Sequence, residues 1–163
     1  MLNNKEFSLI MIPTTDCNCD CLYCFQGKKR KDRLHESEFE IICEKLVRNL
    51  KNKGVNKIHF YWQGGEVMIL GTDYFYNIIK IQEKLFQREG MEFRNCIQSN
   101  LIEYDSSWGK LIKEHFEGKV GSSLDYPNMY RKTKNGGIEE YIDKWHEKYV
   151  MAKSDGILVN IIS

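Results

Sequence analysis

Five short apolar segments alternate with four helix-patterned ones, and that alternation limits what this chain can fold into. Residues 8–15, 57–63, 92–98, 120–124 and 157–162 read as strands. Residues 36–51 place Phe39, Ile42, Cys43, Leu46, Val47 and Leu50 on one helical face, and Gly54 follows where a helix end favours glycine. Residues 73–87 do the same with Phe75, Ile78, Ile79, Leu85 and Phe86. A short helix is predicted over 107–116, and another over 139–152 carrying Ile142, Trp145 and Tyr149. The first strand is apolar enough to predict burial on both faces. The order β-α-β-α-β-α-β-α-β predicts an α/β fold with a parallel sheet, right-handed crossovers and helices outside.

A chain of 163 residues suits one domain, taken here as residues 1–163, with a real core. The formal net charge is +1, so nothing marks the chain as a partner of nucleic acid or of an anionic membrane. No apolar run approaches the roughly 20 residues of a membrane span. The basic run at residues 28–31 is short, is followed by acidic residues and reads as a solvated loop. There are only two prolines, with no low-complexity segment, repeat or linker to divide the chain.

Ligands in such folds collect at the C-terminal ends of the strands, where the chemically distinctive residues of this chain also fall. A cysteine loop follows the first strand, Gly64-Gly65-Glu66 the second, Ser99-Asn100 the third, and Ser123-Leu124-Asp125 the fourth. Within the loop, Cys17, Cys21 and Cys24 have the spacing C-x3-C-x2-C. Three thiolates on one tight loop can hold three irons of a 4Fe-4S cube and leave the fourth open, whereas electron-transfer ferredoxins use four cysteines. Disulfides are the first alternative for the six cysteines. No signal peptide is visible, since residues 1–7 are polar and the apolar run 9–12 is too short, so a packed cysteine cluster reads as metal-binding. Zinc is the second alternative. Structural zinc sites usually pair two distant C-x2-C knuckles, and here Cys21–Cys24 has no second pair after it, although Cys19 leaves a four-thiolate site open. Cys43 and Cys96 read as buried small apolar residues. His59 reads as a packed histidine, and His35, His115 and His146 have no spacing that suggests a site.

These motifs resemble those of the radical S-adenosyl-L-methionine (radical SAM) enzymes, and in particular the peptide- and protein-modifying maturases that include the anaerobic sulfatase-maturating enzymes. The stretch from Thr14 to Gln26 resembles their cluster loop, and Phe60-Tyr61-Trp62-Gln63-Gly64-Gly65-Glu66 is similar to their Gly-Gly-Glu-Pro motif. Ile97-Gln98-Ser99-Asn100 resembles their Gln-Thr-Asn segment, and Gly121 to Asp125 their Ser-Leu-Asp-Gly segment. The resemblance implies a partial (β/α) barrel. It implies a 4Fe-4S cluster on Cys17, Cys21 and Cys24, with S-adenosyl-L-methionine (SAM) chelated to the open iron. It further implies reductive cleavage of SAM to a 5′-deoxyadenosyl radical that takes a hydrogen atom from a peptide or protein substrate. Gly64 and Gly65 would let backbone approach the methionyl end, and Glu66 would accept from its ammonium. Ser123 and Asp125 would hold the ribose hydroxyls. Asn100 would contact the ribose or order the neighbouring loop. Arg131 would meet the methionyl carboxylate, its alternative being a plain surface position. Tyr23 and Phe25 would pack around the adenine.

The implied partners are an electron donor such as flavodoxin or ferredoxin, and the implied setting is the cytoplasm of an anaerobic or microaerobic cell. No substrate-side catalytic residue can be placed within the chain. The departures from the family pattern are Val67 for its proline, Leu101 and Tyr126 for its glycines, and Cys19 for an apolar residue. About five strands are expected where the family core has six, with no auxiliary-cluster domain. The fifth would then be an exposed apolar edge, covered by a partner chain or by a further C-terminal segment. A non-catalytic iron–sulfur or SAM-binding remnant is the alternative function, with a zinc module third.

Overall fold

The structure, a computed structural model, describes residues 5–27 and 29–162. Lys28 of the basic run and residues 1–4 of the polar N-terminus lie outside them. Strands β1 (Lys5–Met11), β2 (Val55–Trp62), β3 (Glu92–Ser99), β4 (Lys119–Ser123) and β5 (Leu158–Ile162) form one sheet in sequential order. Every neighbouring pair is parallel. Helices α1 (Glu36–Lys51), α2 (Thr72–Gln82), α3 (Ser106–His115) and α4 (Ile138–Ser154) make the crossovers. Sequential order with crossovers of one hand puts all four helices on the same face, as in a partial barrel. Successive helices accordingly pack on one another.

The core lies between that helical layer and the sheet. Register aligns Leu9 with Phe60 and Met11 with Trp62, so the even-numbered β2 residues Ile58, Phe60 and Trp62 are buried. Trp62 packs 5.4 Å from Phe39 of α1 and edge-on, 5.5 Å, to Phe75 of α2. One polar group is built into this layer. Asn95 Oδ1 accepts from Trp62 Nε1 at 2.8 Å and from Gln82 Nε2 at 3.0 Å, while its Nδ2 donates to Gln82 Oε1 at 2.9 Å. Asp105 caps α3 by accepting from Ser107 N and Trp108 N. Gly54 lies past α1 at φ 70, where a side chain would be strained.

The other face of the sheet has no helical cover, which corrects the expectation for the first strand. β1 starts and stops earlier than the predicted 8–15, and it is an edge strand paired only with β2. Its odd-numbered residues face the helices, while Ile10 on the open face is 59% exposed. Residues 12–15 leave the sheet to begin the cysteine loop. Cys96 is a second correction: it alternates onto the open face and is exposed, whereas Cys43 is fully buried as expected. Ile142 is a third, exposed on α4 while Tyr141 and Trp145 are buried. The predicted helix 73–87 is α2 followed by a π turn, Glu83–Gln87, which keeps Leu85 and Phe86 in the core. His59 is packed as expected, its Nε2 2.9 Å from Glu6 Oε2. β5 is an exposed apolar edge, as expected.

Candidate functional site

The loop after β1 is anchored before it reaches its first cysteine. Thr14 Oγ1 donates to Asp32 O (2.7 Å) and accepts from Asp16 N (3.0 Å), and Cys17 N donates to Asp16 Oδ1 (2.9 Å). The turn after β2 locks onto the same segment, with Gly65 N on Thr14 O (3.0 Å) and Glu66 N on Asp16 O (2.8 Å). This contact explains the paired glycines. A Cβ on Gly65 would lie 1.9 Å from Asp16 O, and one on Gly64 2.5 Å from Thr14 O. Further along, the loop pairs with the segment after β4. Asp20 N donates to Lys132 O and Leu22 N to Tyr130 O, both at 2.9 Å, and Cys19 bridges to Thr133.

These contacts enclose a cavity of about 260 Å³ at the C-terminal ends of the strands. Most of the site residues singled out from the sequence line it: Cys17, Cys21, Cys24, Tyr23, Phe25, Gly64, Gly65, Glu66, Asn100, Ser123 and Arg131. Asp125 stands behind them, accepting from Tyr23 Oη at 2.6 Å. A second cavity of about 380 Å³ on the open face shares Gln63 and Gln98 with the first. A larger groove of about 450 Å³ beside α1 gathers only scattered surface charges such as Glu44, Arg48 and Arg88.

The radical SAM superfamily profile matches residues 11–162. The chain belongs to that superfamily. It is 29% identical over 133 residues to the cysteine-type anaerobic sulfatase-maturating enzyme of Clostridium perfringens (strain 13 / Type A), covering 77% of this chain and 35% of the relative. It is 25% identical over 112 residues to the serine-type enzyme of Klebsiella pneumoniae, covering 67% of this chain and 28% of the relative. A solved structure, native anSMEcpe with bound AdoMet and Cp18Cys peptide, aligns with a TM-score of 0.80 at 25% identity, over 96% of this chain and 42% of that one. This radical SAM chain thus spans about a third of the length of the curated relatives it matches.

The donor set of the loop suits an iron–sulfur cluster. Cys17, Cys21 and Cys24 are free thiols of one loop on one cavity wall, and thiolates are the ligands such clusters take. Cys17 is buried, and hydrogen bonding from Cys19 lowers its thiol against the cost of burial. Cys19 is shifted the other way by the same hydrogen bond and by burial. Burial also raises Cys21.

Glu66 faces inward. Its Oε1 accepts from Ser99 Oγ (2.7 Å) and Met68 N (2.9 Å), and its Oε2 from Asn100 N (2.7 Å). The carboxylate thereby braces the end of β3, and burial pushes it up to about 7 against those donors. The Asn100 amide is also committed, with Nδ2 donating to Asn18 Oδ1 at 2.7 Å and Oδ1 accepting from Ile102 N at 2.9 Å. Leu101, in place of the family glycine, keeps a glycine-like φ of 65 and is fully buried. Its burial offsets a strain of roughly 1–2 kcal/mol.

Arg131 is in the cavity wall rather than on the surface. Its guanidinium lies 5.3 Å over the Tyr23 ring, and its Nε is 3.1 Å from Asp125 Oδ2. That pair is ionic only, because the buried Nε is aligned too poorly for a hydrogen bond and has no other partner. Lys29 and Gln98 are among the wall residues that sequence reasoning missed. Lys29, read as part of a solvated run, turns in to the Cys19 carbonyl. Gln98 donates through Nε2 to Ser123 Oγ at 3.0 Å, crossing β4 where Gly121 leaves room. Nothing in a basic run distinguishes Lys29, but the alternation of β3 puts Gln98 on the open face.

Proposed function

We propose that this chain is the core of a radical SAM enzyme acting on a peptide or protein, with residues 1–163 as one core domain. The observation that carries the proposal is the convergence of cysteines, glycines, an amide, a hydroxyl and a guanidinium from four successive strand ends on one cavity. Cys17, Cys21 and Cys24 would ligate a 4Fe-4S cluster, and SAM would occupy the rest of the cavity. When bound, the two together supply reductive cleavage of SAM for hydrogen-atom abstraction.

The protein's own part is to bind, orient and exclude water. The Gly64-Gly65 backbone, locked to Thr14 and Asp16, fixes the turn against the loop and fronts the methionyl end. Glu66, held at the cavity wall by Ser99, Met68 and Asn100, would accept from the methionyl ammonium. Ser123, oriented by Gln98, offers a hydroxyl to the ribose, and Asp125 positions Tyr23 and Arg131 at the same rim. Arg131 and Lys29 supply the positive charge that a methionyl carboxylate needs. Asn100 orders the cysteine loop through Asn18 rather than touching the ribose.

The substrate would enter from the open face, whose cavity meets the first at Gln63 and Gln98. Support for a peptide comes from the relative whose solved structure holds both AdoMet and a peptide. A flavodoxin or ferredoxin would supply electrons. A partner chain or further segment would cover the edge at β5. Among the described residues no helix is long and apolar enough to cross a membrane. The cytoplasmic setting is part of the proposal and follows from the family resemblance.

The test is anaerobic reconstitution with iron and sulfide, EPR of the reduced protein with and without SAM, and an assay for 5′-deoxyadenosine. The expected result is a cluster signal that shifts with SAM, and deoxyadenosine lost in Cys21→Ala. A cluster indifferent to SAM would refute the enzyme and leave the binding remnant. Zinc in its place would refute both.

A further inference from the structure

The basic run that follows the cysteines lies back beside the loop that carries them. Arg30 N donates to Thr15 Oγ1 at 3.2 Å and Leu34 N to Pro13 O at 2.7 Å, so residues 30–34 run along the segment that leads into Cys17. Lys29 turns inward, but Arg30, Lys31 and Arg33 are exposed. On the other flank, residues 130–134 pair with the loop and bring Lys132 and Lys134 alongside. Residues 16–34 hold five Lys or Arg against three Asp, and residues 125–134 three against one, so these two segments carry +4 in a chain whose total is +1. The remainder of the chain is net acidic, and positive charge is concentrated around one cavity.

Between the flanks the surface is apolar. Leu22, Phe25, Met129 and Tyr130 are exposed, Phe25 at 87%, and Tyr130 packs edge-on to Tyr23 at 5.9 Å. Leu22 N donates to Tyr130 O at 2.9 Å, which joins the two segments into one patch. Cys17 is buried, whereas Cys21 and Cys24 are half-buried and alternate along the chain with the exposed side chains. An exposed apolar patch with a rim of one charge is the form of an interaction site.

We propose that this patch, with its Arg30–Lys31 flank, is the docking surface for an acidic electron-transfer protein that reduces the cluster. The inference rests on the functional reading above. The carrier gives up one electron and the cluster gains it, with no bond made or broken. Electron transfer favours the shortest gap, so the carrier must seat where the cysteine loop meets solvent. The apolar centre gives close contact, and the positive flank attracts and orients a negative carrier. A nucleic acid would need a continuous basic track, and Asp20, 3.8 Å from Lys29 and 3.7 Å from Lys132, interrupts it.

The experiment uses flavodoxin as the acidic carrier. It compares wild type with Arg30→Glu/Lys31→Glu, whose side chains lie outside the cavity wall, and with Lys80→Glu/Lys110→Glu, which makes the same charge change on exposed positions of α2 and α3. Calorimetry on the apo chains reads flavodoxin affinity at low ionic strength and at about 0.15 M. Stopped flow on the reconstituted chains reads cluster reduction by flavodoxin hydroquinone and by dithionite. Arg30→Glu/Lys31→Glu is expected to weaken flavodoxin binding about tenfold at low ionic strength and to slow reduction by flavodoxin in proportion. Its reduction by dithionite and its EPR response to SAM stay as in wild type, and the α2/α3 control matches wild type throughout. Met129→Ser, which changes no charge, weakens affinity and leaves its salt dependence intact. Wild type that does not bind flavodoxin, Arg30→Glu/Lys31→Glu that binds it as wild type does, or an equal loss in the control would each overturn the proposal. So would a wild-type dimer in sedimentation that Met129→Ser dissolves, which gives the patch to a second copy. In all of these the functional reading stands if the dithionite-reduced protein cleaves SAM. A wild-type chain that takes up no cluster overturns the functional reading itself, and this inference with it.

Discussion

Gly65→Ala should damage both the fold and the site through one contact. The new Cβ would stand 1.9 Å from Asp16 O and 2.6 Å from Thr15 O, where ordinary contact begins at 3.4 Å. Both obstacles are backbone, so no side chain can swing aside, and the two segments must part by more than 1 Å (the shortfall at Asp16 O is 3.4 − 1.9 = 1.5 Å). That separation breaks the bonds from Gly65 N to Thr14 O and from Glu66 N to Asp16 O. Two hydrogen bonds at about 1 kcal/mol each, plus about 1–3 kcal/mol of overpacking, come to about 3–5 kcal/mol. For a domain of this size that lowers Tm by about 6–20 °C. Cys17 follows Asp16 directly, so iron uptake should fall as well. Urea and thermal melts of the apo protein, with iron per chain after reconstitution, measure both effects. Gly137→Ala is the control, because nothing lies within 4 Å of its Cβ and its φ is −99. A Gly65→Ala protein within about 0.5 kcal/mol of wild type, with full iron, would refute the claim that this glycine exists for the approach of two backbones.

Asn95→Leu should cost about 2–4 kcal/mol in urea melts, because it strands the buried Trp62 Nε1 and Gln82 amide. Gly121→Ala puts a Cβ 2.0 Å from Gln98 Oε1, the end of a flexible side chain, so stability should change little. Gln98 must nevertheless swing away from Ser123, and SAM affinity by equilibrium dialysis should weaken about tenfold, or about 1.4 kcal/mol. Gln98→Ala should match that loss. Glu66 has its carboxyl raised from 4.5 to about 7 in the fold. The folded state therefore binds more protons than the unfolded one between those values. The stability Glu66 contributes is full below pH 4.5 and is lost as pH rises to 7, by at most about 3 kcal/mol. Glu66→Gln lacks that loss and should gain on wild type across the same interval, as read from paired urea melts at pH 5 and 8.

Periodicity located the five strands and four helices, and all but the edge strand β5 bury one face, which is what the apolar spacing encodes. It failed where the second face mattered. Residues 8–15 read as a strand buried on both faces, yet only one side of this sheet carries helices, and Ile10 and Cys96 point to the other. Chemistry-bearing residues were legible where strand order forces convergence, since cysteines, glycines and polar groups at successive strand ends share one rim. The direction in which a side chain points was not. Glu66 turns inward because three donors wait behind it, and those donors belong to segments up to 34 residues away. Arg131 reaches the cavity because residues 130–134 run beside the cysteine loop, a pairing that leaves no periodic trace. Leu101 shows the converse: the residue departs from the family pattern while the backbone keeps the glycine conformation.

The open face also has a polarity along the strands that bears on chemistry. At the N-terminal ends, Glu6 pairs with Lys57 and His59, and Glu117 with Arg94 and Lys119. Toward the C-terminal ends the same face carries Ile10, Tyr61, Cys96, Gln98 and Ile162, none of them charged. Charges are thus neutralised in pairs at the far end, and the ground next to the cavity is apolar or neutral. A hydrogen-abstracting site needs a surface that shields reactive species from water and presents no competing ion. The exposure of Tyr61 (42%) and Ile162 (58%) leaves that surface uncovered by the described residues. On the proposed function, burying that apolar ground would exclude water around Gln63 and Gln98.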